Sequence, residues 1–87
     1  MLIYRYSADI LARRDPFRAG HLEHWNSYLT QGLVGAGPTL NPVDTGFYLF
    51  QIENRDLIEE AVANDPYMKA GLVTSYEIRE WMVSIGS

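Results

Sequence analysis

The chain has 87 residues, 47% of them hydrophobic, with seven Lys and Arg against eleven Asp and Glu and no cysteine. A chain this short buries only roughly 60–65% of the surface that it exposes when unfolded, so one small domain over residues 1–87, helped by a partner subunit, is expected. The lack of cysteine excludes a disulfide scaffold, a thiolate nucleophile and a thiolate zinc site, and a formal charge of −4 with scattered basic residues argues against nucleic acid as a partner.

Leu2 to Tyr6 is dense in aromatic and branched residues and predicts a strand. Arg5 and Asp9 break the first apolar run, which leaves neither a signal segment nor a membrane span of about 20 residues. A cytoplasmic protein, off the membrane, is therefore expected. Asp15-Pro16 predicts a helix start, because Asp can cap free backbone N–H groups and Pro suits the first helical position. That helix is expected from Pro16 to Gln31, ending at Gly32. At about 100° per residue, Phe17, His21, Leu22, His24, Trp25, Tyr28 and Leu29 share one arc, with His21 near its middle and His24 at its edge. Arg18 projects to the same side, three residues before His21.

Leu33 to Leu40 is weakly strand-like and broken by glycine. Gly46 to Glu53 is the clearest strand, with Tyr48, Phe50 and Ile52 alternating with Phe47 and Leu49, so that both faces are apolar. Asn54 or Arg55 opens a second helix through Ala63, with acids early in it to suit the helix dipole, and Asp65-Pro66 stops it. Leu72 to Val83 reads as a last strand.

This order, βαββαβ, predicts an α+β ferredoxin-like fold: a four-stranded antiparallel sheet with two helices on one face. The second, apolar face then needs cover from outside the chain, and a homodimer through the sheet face is the simplest answer.

Few groups can move protons near neutral pH. His21 is either a core histidine satisfied by a hydrogen bond or a general base, and His24, flanked by polar residues, reads as structural or solvated. Asp65 suits an Asx-type turn. If the two helices lie side by side, Asp65 could also accept from one imidazole nitrogen of His21, fixing its tautomer and raising the basicity of the other. His21 and His24 offer two metal donors on one face, but a third is missing from the pattern, so no metal is expected. Gly35-Ala36-Gly37-Pro38 lacks the strand and helix context of a dinucleotide fingerprint, and no cofactor is expected. Most aromatics read as core or interface, and a few as walls of a small-molecule pocket.

Several pieces taken in order resemble the YciI-like (YCII-related) family. They are Arg18-Ala-Gly-His21-Leu22, Gly32-Leu33, Ala36-Gly37-Pro38, Gly46, Asp65-Pro66-Tyr67, Ala70-Gly71-Leu72 and the closing Glu80-Trp81. The resemblance implies a ferredoxin-like fold that pairs into a dimeric α+β barrel, with a site built around a His and an Asp. Carried onto this chain, these are His21 and Asp65 as catalytic residues, with Arg18 matching the motif's arginine and suited to an anionic substrate group. Family members with assigned chemistry include a dehydrochlorinase of a chlorinated hydroxyhydroquinone. The expected function is a small lyase or isomerase without a cofactor, acting on a small acidic or aromatic molecule. The alternative is a ligand-binding or accessory dimerisation module without catalysis.

Overall fold

A computed structural model describes residues 1–51, 54–82 and 84–86. Four strands, β1 (Leu2–Tyr6), β2 (Leu33–Pro38), β3 (Thr45–Phe50) and β4 (Val73–Ile78), form one sheet in the order β2-β3-β1-β4. Every neighbouring pair is antiparallel. With helices in the two crossovers this is the α+β ferredoxin-like arrangement expected from the element order.

The helices are α1 (Ile10–Arg13), α2 (Asp15–Asn26), α3 (Arg55–Asn64) and α4 (Pro66–Lys69), with a 3-10 turn at Ser27–Thr30. The inner sheet face contributes Leu2, Tyr4, Leu33 and Tyr48 to a core shared with Trp25 of α2 and with Ile58, Ala61 and Val62 of α3. On the other face Ile3 and Phe47 stand opposite each other in the β1–β3 ladder, with Leu49 further along β3. Tyr48 is buried while Phe47 is 36% exposed, so the apolar alternation of β3 serves two different faces. Ile52 and Glu53, expected at the end of this strand, lie outside the described residues.

Local differences from the expected elements have physical causes. Asp15 is not the cap of α2 but its first residue, preceded by Arg14 in helical conformation with no side-chain cap bond. The short α1 has already turned the chain, and Arg14 N–H donates to the Ile10 carbonyl at 2.9 Å, so α2 starts from a helical entry. At its other end α2 stops at Asn26 instead of Gln31 and tightens into the 3-10 turn before Gly32, whose φ of +105° suits glycine. The tighter winding shifts the angular phase and leaves Leu29 exposed; within α2, only His21 and Trp25 of the expected arc are buried.

Asn54 caps α3, its side-chain oxygen accepting from Leu57 N–H at 3.1 Å. Asp65-Pro66 ends that helix as expected but also opens α4, because Pro suits a first turn and Asp65 caps it. The last strand ends at Ile78 and does not reach Met82. Its ladder with β1 is used up there: Leu2 faces Ile78, and Arg79 N–H donates to the Met1 carbonyl at 2.8 Å. Val83 lies outside the described residues.

Candidate active site

His21 comes from the middle of α2 and Asp65 from the junction of α3 and α4, and α2 packs against α4. Side-by-side helices bring the two side chains together across 44 positions, His21 Nδ1 lying 2.8 Å from Asp65 Oδ1. Both are buried, Asp65 completely.

Three further donors converge on the same carboxylate. Trp25 Nε1–H donates to Oδ2 at 2.9 Å, the Tyr4 hydroxyl donates to Oδ2 at 2.8 Å, and Tyr67 N–H donates to Oδ1 at 3.0 Å. A buried carboxylate needs this many donors to offset its lost hydration. Burial by itself raises the pKa of Asp65, but the hydrogen bond and charge of His21, then the Trp25 and Tyr67 donors, outweigh it and hold the group below the ordinary carboxylate value of 3.8. An ionised Asp65 only accepts, so His21 Nδ1 carries the proton between them, and Nε2 is the ring nitrogen turned away from the carboxylate.

Tyr67 fixes the imidazole plane, its ring stacked on that of His21 with centroids 3.7 Å apart and 7° between planes. On the far side Nε2 lies 3.5 Å from the Tyr48 hydroxyl, which is 3.3 Å from the Tyr6 hydroxyl. Burial pushes the pKa of Tyr48 and Tyr6 upward, so both keep their protons at neutral pH.

Two adjoining hollows open onto this group, with volumes of about 60 and 140 Å³. They share Tyr6, His21, Leu22 and Pro38, one extending toward Arg14, Arg18 and Tyr67 and the other toward Ala36, Gly37 and Tyr48. Arg18 thus stands on the wall of the first hollow, and Arg14, one helical turn earlier, stands with it. Among the described residues neither guanidinium is in an ion pair.

His24 goes elsewhere. Its Nε2 meets the Ala61 carbonyl at 2.7 Å and ties α2 to α3, in keeping with a structural histidine. The two histidines therefore do not converge, and among the described residues no group of three or more His, Cys, Asp or Glu is arranged to hold a metal ion.

Asp65 fills both of the roles open to it in the sequence, because Oδ1 caps α4 through Tyr67 N–H and also meets His21. The aromatics were expected mainly as core and interface, and that expectation missed Tyr4 and Trp25 bonding a carboxylate and Tyr6 and Tyr48 forming a hydroxyl chain. Two signals were present: Tyr4 and Tyr6 stand two apart on one strand, and Arg14, Arg18 and His21 follow i, i+4 and i+3 spacing on one helix face.

No curated protein matches the chain. A solved 5-chloro-2-hydroxyhydroquinone dehydrochlorinase from Burkholderia phenoliruptrix, in complex with 2,5-dihydroxybenzoquinone, is similar at a TM-score of 0.77 and 29% identity over 93% of this chain and 91% of that chain. No helix among the described residues is long and apolar enough to cross a membrane. The model of the YCII-related domain matches residues 1–82, and with it the chain belongs to the YCII-related family.

Proposed function

We propose that this protein is an enzyme of lyase or isomerase type in which His21 is the general base, Asp65 orients and supports it, and Arg18 holds an anionic group of a small hydroxylated aromatic or acidic substrate. The observation that carries this reading is the buried His21–Asp65 contact of 2.8 Å beside an open hollow, with the second imidazole nitrogen free of the carboxylate. The likeness to a dehydrochlorinase bound to a dihydroxybenzoquinone supports the substrate class.

Proton loss from a ring hydroxyl leaves an electron pair that the ring delocalises, and net loss of HCl from a chlorinated hydroquinone balances through proton transfers and chloride departure alone. Asp65 stabilises the imidazolium formed when Nε2 accepts the proton, and Arg18 offers a planar donor fork to a carboxylate or phenolate oxygen. The apolar outer face, with Phe47 exposed and Leu49 half-buried, suits a homodimer through the sheets, which gives this short chain the burial it lacks alone. The absence of cysteine suits the cytoplasm.

Chloride release from 5-chloro-2-hydroxyhydroquinone tests the reading. Wild type is expected to release chloride, and His21→Ala, checked for folding by circular dichroism, to lose roughly 10²–10⁴-fold in kcat. Equal rates for the two proteins would remove His21 from the mechanism, and wild type that binds the compound without turnover would favour the non-catalytic module.

A further inference from the structure

Three tyrosines line the hollows with His21: Tyr67 the first, Tyr48 the second, and Tyr6 both. On β1, Tyr4 and Tyr6 point to the same sheet face, but their hydroxyls have different fates. Tyr4 is fully buried and its hydroxyl donates to Asp65 Oδ2. Tyr6, at the strand end where the β1–β4 register shifts, is half-buried and lines both hollows with His21.

Two features hold the Tyr6 hydroxyl where it is. One is Tyr48, whose own hydroxyl lies 3.3 Å away and reaches on toward His21 Nε2 at 3.5 Å. The other is Gly46 on β3, which pairs with Tyr4 in the ladder. A Cβ built on Gly46 would sit 2.3 Å from Tyr6 Oη and 2.9 Å from Cζ, distances that real side chains do not tolerate. The missing side chain of Gly46 is the space that the Tyr6 hydroxyl occupies.

We propose that the Tyr6 hydroxyl, seated over Gly46 and against Tyr48, binds the ligand oxygen that gives up its proton at this site, a different oxygen from the anionic group held by Arg18. Either hydroxyl can donate in the Tyr6–Tyr48 contact, and with Tyr48 as the donor Tyr6 keeps its own proton for a ligand oxygen in the hollow. The inference rests on the reading of His21 as general base and adds its electrostatic complement: the oxygen that gains charge as the proton leaves meets a fixed donor in a partly water-excluded site. Gly46 is a positioning residue that acts through Tyr6.

Titration with 2,5-dihydroxybenzoquinone, followed by its visible absorbance, tests the proposal without requiring turnover. Tyr6→Phe keeps the ring that packs edge-on against Tyr4 and Tyr67, so its fold should persist while its Kd weakens by about tenfold. Gly46→Ala, which retains the hydroxyl but displaces it, should weaken binding comparably. The double variant should bind no more weakly than the weaker single one, because both act on one hydroxyl. A Tyr6→Phe protein within about twofold of wild type, or losses that add fully in the double variant, would overturn the proposal. Wild type that does not bind the quinone overturns it too, while the role of His21 is decided separately by chloride release. If Gly46→Ala fails to fold, Tyr6→Phe alone decides.

Discussion

Helix α2 carries two histidines one turn apart whose surroundings differ in kind. Around His21 the inner surface of the helix meets a buried carboxylate, a stacked tyrosine and open hollows. Around His24 it meets a backbone carbonyl of α3 and the rings of Trp25 and Tyr28. The first environment holds an ionised partner and space for a ligand, whereas the second is a helix-to-helix tie. What separates the histidine proposed as the general base from the packing one is thus the neighbour that faces it, not the helix on which it stands.

The sharpest way to break this contrast is to remove the charge at its centre. Asp65→Asn places an amide N–H₂ among four converging donors, and we expect a loss of about 3 kcal/mol in unfolding free energy, measured by urea denaturation. A loss below about 1 kcal/mol would mean that the carboxylate network is not what holds α2 to α4.

The same group sets the acid limit. Because the pKa of folded Asp65 lies below its ordinary 3.8, its contribution is complete above that value and disappears as the pH falls below it. Unfolding curves recorded from pH 6 downward should therefore decline more steeply in wild type than in Asp65→Asn. Parallel curves would count against this assignment.

The tyrosines set the opposite limit. Tyr4, Tyr6, Tyr48 and Tyr67 all have pKa values raised above 10.0, with burial the largest cause. The folded protein resists an ionisation that the unfolded chain permits, so stability is whole below pH 10 and falls above it. In a Tyr28→Phe, Tyr76→Phe background, which leaves only these four tyrosines, ultraviolet titration should show phenolate absorbance appearing together with unfolding, and phenolate appearing in a still-folded protein would contradict the burial of these hydroxyls.

The smallest effect belongs to the other end of the comparison. His24→Ala removes the bond to the Ala61 carbonyl and should cost about 1 kcal/mol in stability, with the rate of any turnover unchanged. A drop in kcat comparable to that of His21→Ala would erase the distinction between the two halves of α2.

Much of this was legible in the chain itself. Strand β1, helix α3 and the glycine at the end of the first helical stretch follow from local preference and periodicity, which act over a few residues. The extent of the last strand was not, because a strand ends where its neighbour stops offering partners, here at Met1. The short α1 and α4 also escaped notice, since a single turn carries too little periodicity to stand out.

At the site, His21 and Asp65 could be singled out as residue types able to do proton chemistry, and the order of motifs pointed to the family. The sequence alone determined the element order, the two-sided apolar character of β3 and this short list of titratable groups, because these depend on local side-chain chemistry and spacing. Only the tertiary structure decided that Asp65 receives four donors, that His24 turns away to α3, and that Tyr6 lies over Gly46 beside Tyr48. Those contacts join residues distant along the chain, and they exist only once the sheet register and the packing of α2 on α4 bring them within hydrogen-bond reach.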